Sequence, residues 1–301
     1  MSTTSSNVEM TPAGVIDAAT DIGLLSLTVA DLERSFEFYT RAIGFELIEQ
    51  SPGRALLGVD GAVLLELIER PGAAEWPGYA TGLYHFAVLV PTREALGKWL
   101  RNWLNLGLPM PGQGDHLVSE ALYLNDPDGN GIEVYRDRPR SEWVWEDGKV
   151  RMATDPVDIR GVLAAGDRDG VPFAGLPAGT RIGHMHLQVG DIPSTRAFYH
   201  DVLGFDVVAE MPTALFMSAG GYHHHIGANI WHSRGQGPAP EGVAGLRYFT
   251  ITLPTEAARD QVLARLAAAG APVEQTSAGV LIRDPSQNRI LLQVGPAQTA
   301  V

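Results

Sequence analysis

Glu133 is the one acidic residue in an otherwise apolar stretch, and it follows a turn rich in Pro, Asp, Gly and Asn at positions 126–131. The alternating apolar residues on both sides of this turn predict a β-hairpin. A buried carboxylate without a partner is costly, so Glu133 must face water, meet a cation or bind a metal. Because the chain has no cysteine, a transition metal would be held by histidine and carboxylate side chains.

Histidines in three other segments are the candidate partners of Glu133. His85 and His184 lie in the apolar segments Gly82-Leu-Tyr-His-Phe and Gly183-His-Met-His-Leu, and a run of three histidines occupies 223–225. A single histidine on a strand is more often a hydrogen-bonded core residue than a metal ligand. The position of each histidine within the internal repeats of the chain is therefore the informative observation.

The elements that carry these residues form a repeat of four units. The segments that start at Gly23 and Gly183 share a strand pattern, an Asp, a Phe-Tyr pair and a Gly-Phe pair at one constant offset. The segments that start at Gly82 and Gly245 share a strand pattern, a Pro-Thr pair and an Asp-Pro turn. Alternating apolar residues predict the strands of each unit, and helical spacing predicts one helix, so each unit is predicted to be β-α-β-β-β.

The repeats set the predicted organisation of the chain, which is an α+β protein. We expect a flexible N-terminus at 1–21, module 1 at 22–70, module 2 at 82–137, a wrapping linker at 138–180, module 3 at 181–232 and module 4 at 245–295. Trp143 and Trp145 indicate that part of the linker packs, but no catalytic pattern is present there.

The repeated βαβββ unit, with an Asp-x-x-x-Ser/Thr-x-x-Phe-Tyr and Gly-Phe signature in modules 1 and 3, resembles the vicinal-oxygen-chelate superfamily over nearly the whole chain outside the tail and the linker. The segments 82–86, 115–133 and 183–187 are similar to the bacterial catechol 2,3-dioxygenase branch, the type I extradiol dioxygenases. The resemblance implies four modules that pair into two cupped mixed β-sheets with helices outside. It also implies a divalent metal in a cup, bound by first strands and by one last strand.

The repeat alignment assigns a ligand position to each module. These positions hold Leu24, His85, His184 and Tyr248 in the first strands, and Glu133 and Leu291 in the last strands of modules 2 and 4. Pairing of consecutive modules leaves both cups with incomplete ligand sets, whereas pairing of module 2 with module 3 joins His85, His184 and Glu133. Modules 1 and 4 would then surround an apolar, metal-free cup. Two imidazoles and one carboxylate suit Fe(II), because adjacent coordination positions stay open, and Mn(II) is an alternative.

The resemblance also implies catalytic roles outside the metal ligands. His224, in a run that we place on the last strand of module 3, matches the histidine that transfers protons near the metal, and imidazole suits that task near neutral pH. Tyr123, across the hairpin from Glu133, matches a tyrosine that hydrogen-bonds the substrate oxygen. His116 is a weaker match to a further histidine of the family. We interpret His186 as a structural residue.

The function that the resemblance implies is extradiol cleavage of catechol or a substituted catechol by O₂, which gives a muconic semialdehyde. One alternative is a glyoxalase-type lyase or isomerase, in which Glu66 would join His85 and Glu133 as a ligand. A second alternative is a small-molecule-binding protein without catalysis, because the same fold serves several functions.

Composition restricts the partners. The formal net charge is −13, from 22 basic and 35 acidic residues, and no basic run is present, so nucleic acid and anionic membrane surfaces are not expected partners. No apolar run has membrane-spanning length, and residues 2–14 lack the basic start and apolar centre of a signal peptide, so we expect a cytoplasmic protein. The expected partners are a small aromatic diol and O₂, with a homo-oligomer left open.

Overall fold

The computed structural model describes residues 14–295, and each repeat unit has one helix between its first strand and three further strands. The first unit contains β1 (Asp21–Val29), α1 (Leu32–Glu37), β2 (Glu46–Ser51), β3 (Arg54–Val59) and β4 (Ala62–Glu69). The second contains β5 (Gly82–Leu89), α2 (Arg93–Asn105), β6 (Gly112–Asp115), β7 (Ser119–Asn125) and β8 (Gly131–Asp137). The segment after β8 contains a 3₁₀ turn (Arg140–Glu142), β9 (Trp145–Glu146), β10 (Lys149–Val150) and α3 (Ile159–Asp167).

The second half of the chain repeats this order. The third unit contains β11 (Arg181–Gln188), α4 (Ile192–Arg196), β12 (Asp206–Met211), β13 (Ala214–Ser218) and β14 (Ile226–Asn229). The fourth contains β15 (Gly245–Leu253), α5 (Glu256–Ala268), β16 (Glu274–Thr276), β17 (Gly279–Arg283) and β18 (Arg289–Val294). The helices α1 and α4 each continue into a π-helical turn, at Phe38–Ile43 and Ala197–Val202.

The strands form two eight-stranded mixed sheets and one two-stranded ribbon of β9 and β10. The first large sheet has the order β16-β17-β18-β15-β1-β4-β3-β2, so it combines the first and fourth units. The second has the order β12-β13-β14-β11-β5-β8-β7-β6, so it combines the second and third units. In both sheets the two first strands meet antiparallel at the centre, and each is parallel to the last strand of its own unit. The predicted fold class is confirmed.

One capping position recurs at the start of the helix in all four units. The side chains of Asp31, Thr92, Asp191 and Thr255 each accept a hydrogen bond from the backbone N–H three residues later. Such caps satisfy a donor that has no partner within the helix, and they fix where the helix begins. The first strand of each unit therefore leads directly into a helix that packs outside the sheet.

The segment between the second and third units docks through α3 onto α2. A Cβ added to Gly97 would lie 2.1 Å from the carbonyl oxygen of Val162 and 2.6 Å from the backbone nitrogen of Gly166, so only glycine permits this approach. No helix within 14–295 combines the length and the apolar character needed to cross a membrane.

The expectation of a flexible N-terminus through residue 21 is wrong from residue 14 onward. Ile16 is buried, and its backbone N–H donates to the carbonyl oxygen of Gly204. The strand β1 already begins at Asp21. The apolar Ile16 side chain packs into the main core cluster, which orders this stretch. Residues 1–13 lie outside the described part of the chain.

Candidate metal centre

The pairing of β5 with its two neighbours brings His85, Glu133 and His184 onto one face of the second sheet. Ala87 on β5 lies opposite Glu133 on β8 and opposite His184 on β11. Residues that lie opposite each other in neighbouring strands project to the same side of a sheet, and so do residues i and i+2 of one strand. His85, two residues before Ala87, therefore projects to the same side, and the small Ala87 side chain leaves the space between them open.

The three side chains converge within contact distance. Oε2 of Glu133 lies 3.1 Å from Nε2 of His85 and 3.2 Å from Nε2 of His184. One ligand atom from each residue lies within 4.8 Å of the other two. All three residues are buried, with exposed fractions of 6% for His85, 3% for Glu133 and 1% for His184. Within residues 14–295, this is the one cluster of three metal-ligating side chains.

The electrostatics of the cluster suit a cation. Burial alone would raise the pKa of Glu133, but the adjacent His184 and His85 outweigh it and hold that pKa well below its usual value. Burial lowers the pKa of His85 in spite of the neighbouring carboxylate, so this imidazole is neutral and keeps a lone pair. The buried Nε2 of His85 has no hydrogen-bond partner among the described residues apart from the Glu133 carboxylate oxygen 3.1 Å away. Two imidazole nitrogens and one carboxylate oxygen therefore fit a divalent transition metal.

Tyr123 and His116 form a hydrogen-bonded pair beside this cluster. Tyr123 lies opposite Glu133 in the β7–β8 hairpin, and its hydroxyl is 2.6 Å from Nε2 of His116. The other ring nitrogen, Nδ1, is 2.7 Å from the carbonyl oxygen of Ala153, which can only accept. Nδ1 of His116 therefore carries a proton. In the neutral imidazole, Nε2 accepts the hydroxyl proton of Tyr123, which leaves the lone pairs of the phenolic oxygen free.

The histidine run at 223–225 is not on a strand, which corrects the prediction that it lies on the last strand of module 3. The strand β14 begins only at Ile226, and Gly220 and Gly221 before the run both have positive φ angles, of 59° and 67°. Glycine adopts this conformation readily, and the chain turns there. All three histidines are buried. The rings of His224 and His184 lie 4.1 Å apart between centroids, which places His224 next to the metal cluster.

His186 has a larger part in the site than the sequence suggested. Its ring lies 4.8 Å from that of His85, centroid to centroid, and its Nε2 is 3.1 Å from Nδ2 of Asn229. The amide oxygen of Asn229 accepts from the backbone N–H of Trp231, so Nδ2 is the atom that faces His186 and donates to it. His186 therefore carries its ring proton on Nδ1. No motif in the sequence reveals this contact.

A cavity of about 960 Å³ opens above the cluster. Its polar lining includes His85, His116, Tyr123, Glu133 and His224. The remaining lining is largely aromatic or apolar and includes Tyr84, Leu124, Ile132, Met152, Ala153, Met211, Phe216 and Trp231.

The linker supplies one wall of this cavity, a role that sequence reasoning missed. Met152, Ala153 and Thr154 line the cavity, and the backbone of Asp155 pairs with that of Asp115. The pairing is long-range, and no periodicity in the sequence indicates it. Ala153 also accepts the hydrogen bond of His116, so the segment both closes and orders the site.

The corresponding region of the first sheet holds an ion-pair network instead of a ligand cluster. Glu66 on β4 lies opposite Ser26, and its carboxylate accepts hydrogen bonds from Ser26 Oγ at 2.7 Å, Arg54 Nε at 2.7 Å and Tyr248 Oη at 3.1 Å. The expectation of an apolar cup between modules 1 and 4 is therefore wrong. Glu66 also lies in the sheet that does not contain His85 and Glu133. The glyoxalase-type ligand set that recruits Glu66 is not assembled.

Comparison with known proteins places this geometry in a family. The model of the Glyoxalase/Bleomycin resistance protein/Dioxygenase superfamily matches residues 21–134 and 181–292. The chain is 48% identical over 272 residues to a protein of Bacillus subtilis (strain 168) named catechol-2,3-dioxygenase. That alignment covers 88% of this chain and 94% of the relative.

Solved structures share the fold at much lower sequence identity. A candidate dioxygenase from Bacillus subtilis has a TM-score of 0.61 and 15% identity, over 94% of this chain and 87% of that one. Glyoxalase I from Zea mays has a TM-score of 0.56 and 16% identity, over 91% of this chain and 92% of that one. Identities this low show the fold alone. With its repeated units matched by the family model and one relative aligned over most of both chains, the chain belongs to the Glyoxalase/Bleomycin resistance protein/Dioxygenase superfamily.

Proposed function

We propose that this protein is a non-haem Fe(II)-dependent extradiol dioxygenase that cleaves catechol or a substituted catechol beside its diol. The observation that carries the proposal is the convergence of two imidazoles and one carboxylate at a large cavity. The 48% identity to a protein named catechol-2,3-dioxygenase supports it. The substrates are then an aromatic diol and O₂, and the product is a ring-opened semialdehyde.

His85, His184 and Glu133 would hold the iron. When bound, Fe(II) supplies adjacent open coordination positions for the two diol oxygens and O₂, and a route for electrons between them. Glu133 contributes the negative charge of the ligand set, since its pKa lies well below the usual value. His85 contributes a neutral imidazole whose Nε2 faces the Glu133 carboxylate, its fellow ligand.

His224 would transfer protons to and from the substrate. It lines the cavity, and its Nδ1 is 2.8 Å from Nδ1 of His223, so Nε2 is the nitrogen that remains available. Burial, with His184 and His223 adding to it, lowers the pKa of His224 well below the usual value. The imidazole is therefore neutral before substrate binds, which suits a group that accepts the second diol proton.

Tyr123 and His116 would position the substrate oxygen on the other side of the cluster. Burial and the nearby Glu133 raise the pKa of Tyr123 well above its usual value, so the side chain remains a phenol. With His116 neutral, the Tyr123 hydroxyl donates to His116, and its oxygen can accept from the substrate.

The shape of the cavity favours a diol with an apolar substituent. Its volume of about 960 Å³ lies at the upper end of the roughly 300–1,000 Å³ typical of small-molecule sites. Tyr84, Phe216 and Trp231 form an aromatic wall, with Met211 and Met152 beside it. An alkyl or aryl group on the ring would bury apolar surface against these side chains.

Oxygen consumption by iron-loaded protein tests the proposal. The protein is loaded with Fe(II) without air and mixed with catechol and its 3- and 4-alkyl or chloro derivatives, while O₂ and the yellow ring-opened product are followed. We expect uptake of one O₂ per diol. Glu133→Gln should remove both iron and activity, whereas Glu66→Gln, at a buried carboxylate of the other sheet, should retain both. Iron-loaded protein that consumes no O₂ with any of these diols contradicts the proposal.

A further inference from the structure

The side chains of Asp137, His223 and His224 form a hydrogen-bonded row that ends at the cavity. Asp137 ends β8, and its Oδ1 is 2.9 Å from Nε2 of His223. Nδ1 of His223 is in turn 2.8 Å from Nδ1 of His224. The sequence separates Asp137 widely from the histidine run, so only the pairing of the second and third units in one sheet makes this contact.

For a neutral His223 ring, the hydrogen bonds determine which nitrogen of each histidine carries the proton. A carboxylate accepts, so Nε2 of His223 must donate to Asp137. In the neutral His223 ring, Nδ1 is then an acceptor. The short contact between the two Nδ1 atoms needs one proton, which His224 supplies. The lone pair of His224 then lies on Nε2, the ring nitrogen that does not contact His223.

The packing around His223 holds this arrangement in place. His223 is fully buried, with an exposed fraction of 0%. Its ring lies 4.1 Å from that of Tyr222 and 5.2 Å from that of Trp143, centroid to centroid. Trp143 itself is fixed by a hydrogen bond from its Nε1 to the carbonyl oxygen of Arg138. These contacts fix the orientation of the His223 ring, and the hydrogen bond between the two Nδ1 atoms in turn orients His224.

We propose that Asp137 and His223 are positioning residues that fix the tautomer of His224, so that its Nε2 lone pair is available to the substrate. The inference rests on the proposed role of His224 in proton transfer. It extends that proposal, because it assigns functions to two residues that belong neither to the ligand cluster nor to the lining of the cavity. A histidine whose second nitrogen is held by a carboxylate-bound partner has a defined tautomer and orientation, which general-base catalysis requires.

Nitrogen-15 spectroscopy of the histidines tests the tautomers directly. Long-range ¹H–¹⁵N correlation spectra are recorded on the full-length protein labelled at histidine, both metal-free and with one equivalent of Zn(II). We expect His223 to carry its proton on Nε2 and His224 on Nδ1. A His224 ring with its proton on Nε2 overturns the proposal, whatever the outcome of activity measurements, so a failure of the proposed function is distinguished from a failure of this inference.

Two substitutions of His223 connect the tautomer to turnover. His223→Phe keeps an aromatic ring against Trp143 and Tyr222 but removes the acceptor, so His224 should shift its proton to Nε2. We expect kcat to fall by about 100-fold, with KM for the diol and iron content nearly unchanged. His223→Asn returns an acceptor oxygen near the position of Nδ1 and should restore part of kcat and the original tautomer.

Asp21→Asn is the matched control, because Asp21 is a buried carboxylate 3.7 Å from the neighbouring His225 and does not contact His223. This variant should keep the tautomer of His224 and the wild-type kcat. If His223→Phe leaves kcat and the tautomer of His224 unchanged, or if Asp21→Asn alters both to the same extent, the inference is wrong.

Discussion

The hydroxyl of Tyr39 donates a 2.8 Å hydrogen bond to Oδ2 of Asp126, and this contact joins the helical segment of the first unit to the hairpin turn of the second. Tyr199 and Asp284 repeat the contact at 3.1 Å between the third and fourth units. The Phe-Tyr pairs and the Asp-Pro turns thus recur in the sequence because they bind each other. Each contact links the two large sheets.

Loss of one of these hydroxyls should destabilise the protein. In Tyr39→Phe, the buried Asp126 loses one of its partners while the bonds from Asn130 remain, so we expect the free energy of unfolding to fall by about 1–3 kcal/mol. Tyr199→Phe should cost a similar amount, and the two effects should add because the two hydrogen bonds share no partner. Urea unfolding monitored by fluorescence measures both. Changes below about 0.3 kcal/mol in both variants would contradict the assignment.

Removal of a metal ligand should abolish iron binding without unfolding the sheet. His184→Ala removes one of three ligands, and the affinity loss should exceed the roughly 10–100-fold loss typical of outer-shell partners. Leu24→Ala, at the position of the first unit that corresponds to His184, should keep wild-type metal content. Elemental analysis after dialysis and isothermal titration with Fe(II) check both variants. Equal metal content in the two would remove His184 from the ligand set.

The free energy of unfolding should change with pH as Asp21 titrates. Burial raises the pKa of Asp21 from 3.8 to about 6, with Arg181 lowering it in part. A raised folded-state pKa means that the folded protein binds the proton more tightly, so the stabilising contribution is complete below pH 3.8 and is lost as the pH rises to about 6. The loss amounts to about 3 kcal/mol.

Asp21→Asn removes this pH dependence, because the amide does not titrate. The stability of the variant relative to the wild type should therefore increase between pH 4 and pH 7, by up to about 3 kcal/mol. Urea unfolding of both proteins across this pH range measures the difference, in which titrations common to both cancel. If the stability of the variant relative to the wild type stays constant or decreases as the pH rises, the pKa of Asp21 is not raised by burial.

Tyr123 and His116 should act as one unit in turnover. Tyr123→Phe removes the hydroxyl that bridges His116 and the cavity, so kcat should fall by about 100-fold while iron content stays unchanged. His116→Ala should give a comparable loss, and the double variant should be little worse than either, since both remove the same contact. Steady-state oxygen uptake by the wild type, the two single variants and the double variant measures these losses. Independent, multiplying losses would show that the two residues act separately.

Much of the fold follows from local signals in the sequence. Capping residues at the same position in each unit start the helices, and alternating apolar residues form the strands that flank Ala87. Strand periodicity sets the side of the sheet on which Glu133 and His85 lie, and this periodicity can be read from the sequence. Strand periodicity therefore predicts the side that these residues face, and the repeat alignment adds the pairing of modules 2 and 3.

The parts that sequence reasoning missed depend on irregular backbone and long-range contacts. The sequence predicts 223–225 on the last strand of module 3, but the turn at Gly220 and Gly221 delays the start of β14 to Ile226, so these histidines precede the strand. The wall formed by Met152–Thr154 depends on pairing between Asp115 and Asp155, which has no periodic signature. The sequence offers Glu66 as an alternative metal ligand, but its carboxylate is bound by Arg54 on the adjacent strand β3, a contact that no motif indicates.

The second and third units lie between the first and the fourth in the sequence, so the two sheets can be completed at different times during synthesis. All strands of the second sheet come from one uninterrupted stretch, β5 to β14, whereas the first sheet must wait for β15 before β1 gains its central partner. Domains form as their chain becomes available on the ribosome. The half of the molecule that carries His85, Glu133 and His184 can thus be complete while β1, already beside β4, still lacks its antiparallel partner β15, and the last unit to emerge completes the first sheet.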